Sequence, residues 1–174
     1  MLNSQKVYII GFMGSGKTTA GKKLASLLGW SFIDLDKKVE EHTGKTIPEI
    51  FSQNGEEYFR SIESEALKSL RSQTHTVIST GGGAPCHCNN MGFMLETGLT
   101  IYLKLTPVQL KIRLSESETE RPLIKDISSD DLESFIREKL TLREKYYNQA
   151  VIHIEGFDID YSILHTLVRK SLNI

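Results

Sequence analysis

VYIIGFMGSGKTT, residues 7–19, is the stretch from which the rest of the chain can be read. Val7 to Ile10 have strand-like composition and run straight into Gly11. From there Gly11-Phe12-Met13-Gly14-Ser15-Gly16-Lys17-Thr18 satisfies G-x-x-x-x-G-K-[ST] at every fixed position. A strand that turns sharply into a helix needs residues tolerant of positive φ, and glycines at 11, 14 and 16 supply them. The backbone N–H groups of such a turn converge on a concave anion site, reinforced by the positive end of the helix that starts near Gly16. Lys17 can then reach the β and γ phosphates as a point charge, and the Thr18 hydroxyl can ligate Mg²⁺. The competing reading is a glycine-rich turn that binds nothing. The strand before it and the helical pattern after it favour a nucleotide-phosphate site.

Outward from the loop, strands and helices alternate. Ala20, Leu24, Ala25, Leu27 and Leu28 predict a helical stripe stopped by Gly29. Ser31-Phe32-Ile33 predicts a second strand ending at Asp34-Leu35-Asp36, followed by a helix over Lys37–His42 that stops at Gly44. Thr46-Ile47-Pro48-Glu49 reads as a capping box with Pro in the first turn, opening a short helix that ends near Asn54-Gly55. Glu56 to Leu70 is a second helical run, with Phe59, Ile62, Ala66, Leu67 and Leu70 on one face. Thr76 to Thr80 is a third strand leading into Gly81-Gly82-Gly83, and Thr100 to Leu105 is a fourth, preceded by a helix around Asn90 to Glu96. Pro107 starts a helix carrying Val108, Leu110, Ile112 and Leu114; Asp130 or Asp131 caps a long one carrying Leu132, Phe135, Ile136, Leu140 and Tyr147. A last strand at Val151 to Ile154 and a helix over Tyr161 to Leu172 close the chain. This alternation predicts an α/β fold with a mostly parallel sheet covered on both faces, and ligands beyond the carboxyl ends of its strands.

With 174 residues, a formal net charge of −1 and 25% charged residues, the chain reads as a single domain spanning residues 1–174. That charge argues against a nucleic-acid partner, which would need a basic surplus. No apolar run of membrane-spanning length appears and Met1 to Gln5 is too short and polar for a signal peptide, so a cytoplasmic location is expected. A monomer is expected, since no exposed apolar stripe stands out. Cys86 and Cys88 flank His87; they read as reduced loop thiols, with a metal site as the alternative.

A phosphate loop does not by itself separate a GTPase, an ATPase motor and a small-molecule kinase. The N-K-x-D run of a GTPase is absent, and the third strand ends Ile78-Ser79-Thr80 without the carboxylate a motor ATPase places there. Asp34 or Asp36 must supply that charge: one behind Mg²⁺, the other on a substrate hydroxyl, unless both merely cap the next helix. Arg60 and Arg143 could meet in the cleft and grip a carboxylate bidentately, or be surface residues. Residues 115–129, with Arg121-Pro122 inside an acidic run, read either as a solvated loop or as a lid whose Arg121 reaches the transferring phosphate.

GFMGSGKTT, then FIDLD, then Gly55-Glu56-Glu57-Tyr58-Phe59-Arg60 continuing to Glu63, then STGGG, Arg121-Pro122-Leu123 and Leu142-Arg143, together resemble the shikimate kinase family over nearly the whole chain. The resemblance implies a P-loop kinase fold with a five-stranded parallel sheet, an acceptor region near residues 34–62 and a mobile lid near 115–126. It implies MgATP-dependent phosphorylation of the shikimate 3-hydroxyl on the way to aromatic amino acids. Gly14, Ser15, Gly16, Lys17, Thr18 and Thr19 would hold ATP phosphates, with Lys17 on the transferred group. Thr18 and Asp34 would serve Mg²⁺. Asp36 would bond the shikimate hydroxyls and act as base, Arg60 and Arg143 would hold its carboxylate, and Gly81, Gly82 and Gly83 would line the ring, Gly82 through its backbone. Arg121 would be the lid arginine and Arg113 would lie against adenine. Many family members carry a further arginine in the loop after the last strand; here that loop reads Glu155-Gly156-Phe157-Asp158. The alternatives are another small-molecule kinase, of gluconate or nucleoside-monophosphate type, and a non-catalytic nucleotide-binding module.

Overall fold

The computed structural model describes residues 5–116, 122–124 and 127–174. Strand β1 (Lys6–Ile10) lies at the centre of the sheet and every one of its residues is buried. Because side chains alternate along a strand, Tyr8 and Ile10 face one side while Val7 and Ile9 face the other. Both sides are covered, which is why the strand reads as an unbroken apolar run. Burial is worth about 1.5–3 kcal/mol for each large aliphatic side chain.

The other strands are β2 (Ser31–Asp34), β3 (Thr76–Ser79), β4 (Leu99–Lys104) and β5 (Ile152–Glu155). They assemble in the order β2-β3-β1-β4-β5 with every neighbouring pair parallel. Helices α1 (Lys17–Leu28) and α7 (Tyr161–Leu172) cover the Val7/Ile9 face through Ala20, Leu24, Leu164 and Val168. The Tyr8/Ile10 face is covered by α3 (Ile47–Ser69), α4 (Asn90–Thr97), α5 (Pro107–Ser115) and α6 (Leu132–Tyr147), through residues such as Leu67, Met94, Leu110 and Ile136. The expected five-stranded parallel architecture is therefore present. Among the described residues, no helix is long and apolar enough to cross a membrane.

Several local expectations need correction. Leu27 is 47% exposed, and Val108 and Ile112 are 50% and 47% exposed. In α5 the buried pair is Leu110 and Leu114, four residues apart, so Val108 and Ile112 fall on the opposite side. Helix α2 (Leu35–Thr43) starts directly at the end of β2, not at Lys37, because the Asp34 side chain accepts from the N–H groups of Asp36 and Lys37. Asp36 thus sits in the first turn of a helix rather than in a strand-end loop. Asp131 occupies the N-cap position of α6 but makes no cap bond; its carboxylate accepts the Ser128 hydroxyl at 2.7 Å instead.

The capping box at Thr46 and Glu49 forms as expected, with Glu49 Oε2 accepting the Thr46 N–H at 2.7 Å. The helical conformation it opens breaks at Gly55, at φ 82° and ψ 173°, as expected, and a second helical stretch follows directly across the kink, so that α3 is two helices joined at this glycine. Only glycine adopts that conformation cheaply. The kink brings the Phe51 ring to 4.8 Å from that of Phe59 and closes a small apolar cluster with Val39 and Ile50.

Candidate active site

Three segments meet at the carboxyl rim of the sheet: the loop after β1, the start of α2 after β2, and the glycine run after β3. The strand order reverses at β1, which is where parallel sheets open a crevice. In the loop, Gly11, Gly14 and Gly16 all have positive φ, and Ser15 Oγ is buried without a hydrogen-bond partner among the described residues. The Lys17 ammonium lies against the loop and donates to the Phe12 carbonyl at 2.8 Å. Thr18 Oγ1 donates to Asp34 Oδ2 at 2.8 Å, with Ser79 Oγ 3.5 Å from the same hydroxyl. Asp34 therefore does two things at once, capping α2 through one oxygen and meeting Thr18 through the other. A hydroxyl and a carboxylate side by side form a hard oxygen donor set suited to Mg²⁺ with its waters.

A cavity of about 700 Å³ runs along this loop past Lys17, Thr18, Thr19 and Arg113. A second, of about 270 Å³, is lined by Asp36, Arg60, Glu63, Gly81–Gly83 and Arg143 among others. Met13, Asp36 and Gly82 line both, so the two cavities adjoin at the Asp36 carboxylate.

The second cavity is strongly polarised. Arg60 is 6% exposed and its guanidinium is held by Glu63 Oε2 at 2.8 Å and Glu56 Oε1 at 3.0 Å. Arg143 stacks over the Phe12 ring at 5.2 Å, and its Nη1 is buried with no hydrogen-bond partner among the described residues. Asp36 Oδ1 and Glu63 Oε1 are likewise buried and unsatisfied among them. Unpaired donors and acceptors of this kind cost free energy unless a ligand or water completes them. Burial, followed by the nearby Asp34 charge, holds the Asp36 carboxyl above the usual carboxylate range. Burial also pushes Glu63 up to about 7, against the downward pull of Arg60.

The glycine run is explained by close approach. A Cβ on Gly83 would stand 2.4 Å from Arg60 Nη2, and one on Gly81 would stand 2.4 Å from Glu63 Oε1 and 2.8 Å from Asp36 Oδ1. The polar groups of the cavity lie directly on these α-carbons, so any side chain would displace them.

The structure thus brings Asp36, Arg60, Arg143 and the glycine run into one cavity and Lys17, Thr18 and Asp34 into the next. Arg113 stands at the loop, where a Cβ on Gly16 would be 2.6 Å from its Nη1, and its guanidinium covers the Phe157 ring at 5.0 Å. Arg121 and most of the expected lid lie outside the described residues. Cys86 packs half-buried against the core with its thiol pushed up to about 11 by burial, and Cys88 is exposed. Among the described residues, no three His, Cys, Asp or Glu side chains gather as a metal site.

Sequence reasoning gave Glu63 no role and used Tyr147 only as a core residue. A signal existed for each. Glu56 and Glu63 stand four before and three after Arg60, on its face of the helix, and Tyr147 stands one turn beyond Arg143.

The family model described as "Shikimate kinase" matches residues 13–169. A curated shikimate kinase of Parabacteroides distasonis is 45% identical over 152 residues, covering 87% of this chain and 88% of the relative. Among solved structures, a shikimate kinase of Bacteroides thetaiotaomicron superposes with a TM-score of 0.88 at 36% identity, over 97% of this chain and 98% of the other. One from Acinetobacter baumannii in complex with shikimate superposes with a TM-score of 0.86 at 33% identity, over 99% and 95%. The motif order, the sheet and the matched length agree: the chain belongs to the shikimate kinase family.

Proposed function

We propose that the chain transfers the γ-phosphoryl group of ATP to the 3-hydroxyl of shikimate, giving shikimate 3-phosphate and ADP. The observation that carries this reading is the junction of the two cavities at Asp36, with Arg60 in the smaller one beside an Arg143 whose Nη1 has no partner among the described residues. A small ring acid presents one carboxylate and several hydroxyls, which matches two guanidinium groups opposite a buried carboxylate. The phosphate loop and Lys17 hold the triphosphate in the larger cavity.

Phosphoryl transfer asks little covalent chemistry of the protein, so positioning and charge stabilisation carry the rate. Arg60 and Arg143 orient the ring, Asp36 accepts the hydrogen bond of the attacking hydroxyl, and the proton released as the new P–O bond forms passes to Asp36. Its raised affinity for protons makes it a better base than an exposed aspartate. Lys17 and the loop N–H groups stabilise charge on the transferring group. Thr18 and Asp34 would hold Mg²⁺, which neutralises phosphate charge when bound. Arg121 would close over the phosphates, and Arg113 would lie against the base. We further place the enzyme in the cytoplasm as a monomer. Its exposed large apolar residues are spread over several elements, among them Leu27, Tyr58, Leu142 and Ile163.

A coupled ADP-release assay with shikimate, quinate, gluconate and nucleoside monophosphates tests the reading. Shikimate-dependent release is expected. A preference for gluconate or a monophosphate, or release without any acceptor, would replace it.

A further inference from the structure

The glycine run is held from behind by one side chain that the proposed chemistry does not use. Tyr147, the last residue of α6, is fully buried, with its ring 5.0 Å from that of Tyr102 on β4. Its hydroxyl donates to the Gly82 carbonyl oxygen at 2.5 Å. The bond fixes the plane of the peptide between Gly82 and Gly83. Gly83 is the residue whose α-carbon supports the Arg60 guanidinium, and Gly82 packs against the phosphate loop, where an added Cβ would be 3.0 Å from the Met13 nitrogen. Tyr147 is also one helical turn from Arg143, on the same face of α6. The Tyr147 hydroxyl, which also bonds the Arg143 side chain, therefore ties together the helix bearing one arginine, the glycine supporting the other, and the loop that cradles phosphate.

We propose that Tyr147 is a positioning residue for the acceptor: through the Gly82 carbonyl it sets the spacing of Arg60 and Arg143, and so the grip on the shikimate carboxylate. This rests on the shikimate reading above. The phenol does not titrate in this role, since burial keeps it protonated well above neutral pH.

The test is Tyr147→Phe, which keeps the ring packed and removes only the hydroxyl, with its bonds to the Gly82 carbonyl and to Arg143. Tyr102→Phe is the control, because it alters the neighbouring ring's hydroxyl and leaves the Gly82 bond in place. For Tyr147→Phe the KM for shikimate rises roughly threefold to tenfold, the scale of one lost hydrogen bond. The KM for ATP and the melting temperature stay close to wild type, and Tyr102→Phe moves neither KM. An unchanged shikimate KM, equal rises for both substrates, loss of folding, or the same shift in Tyr102→Phe would each overturn the proposal and leave Tyr147 a core residue. Wild-type protein run alongside separates this from failure of the shikimate reading itself, which would show as no shikimate-dependent turnover in any of the three proteins.

Discussion

Arg60 and Arg143 share one cavity but not one environment, and the difference predicts different mutant phenotypes. Arg143 has a buried Nη1 with no partner among the described residues. Arg143→Ala should weaken shikimate binding by about 1.5–3 kcal/mol, roughly 10- to 150-fold, with ATP binding and thermal stability nearly unchanged. Titration calorimetry with each ligand reads this directly, and equal losses for both would make the arginine structural. Arg60→Ala should also destabilise, because it leaves Glu63, 0% exposed, without its counter-charge. Breaking such a pair costs up to about 3–5 kcal/mol, softened here because Glu63 can take up a proton. Glu63 carries its own pH signature. Its carboxyl is raised from 4.5 to about 7 in the folded protein, so its contribution to stability is full below about 4.5 and is lost as pH rises through about 7. Glu63→Gln should flatten that slope, measured as the change in urea midpoint between about pH 5 and about pH 8; an unaltered slope would show that Glu63 stays ionised throughout. At this scale the sequence named the arginines and both aspartates. Their partners required coordinates, because spacing says which residues share a helix face and not which of them the next element covers.

Among the elements, α3 shows most usefully what local signals settle and what packing adds. The capping box and the glycine at 55 were legible as a helix start and stop, and the helix does break at Gly55; what the sequence did not show is that the next helix resumes at once across the kink. Local signals mark where a helix can end; packing decides whether the next turn resumes along it, and here the Phe51–Phe59 contact supports the bend. Since nothing lies within 4 Å of a Cβ built on Gly55, Gly55→Ala introduces no clash and its cost is conformational alone. A loss of about 1–2 kcal/mol is expected, read as a drop in melting temperature, with ATP affinity unaffected. The abrupt junction of β2 and α2 shows the same division of labour. Asp34 was expected either to cap the helix or to serve the metal, and it caps through one oxygen while meeting Thr18 with the other.

For the whole molecule, the sheet order β2-β3-β1-β4-β5 puts donor and acceptor cavities side by side on one rim. Both ligands should therefore stabilise the fold. Each at a hundredfold excess over its Kd contributes about 2.7 kcal/mol, which for a chain of this size is a rise in melting temperature of roughly 5–10 °C. Differential scanning with shikimate, with an unreactive ATP analogue and with both checks this; a shift from the nucleotide alone would mean the smaller cavity is not an acceptor site. The sequence by itself determined the phosphate loop, the alternation of strands and helices, and the identity of the charged residues at the rim. Those are contiguous features, set by backbone freedom at glycine and by hydrophobic period, so a local reading reaches them. Only the tertiary structure decided that Asp36, Glu63, Arg60, Arg143 and Tyr147 converge on three glycines after β3. These residues come from three different helices, and their meeting depends on how each helix packs on the sheet, a free-energy balance spread over the whole core that no short stretch of sequence encodes.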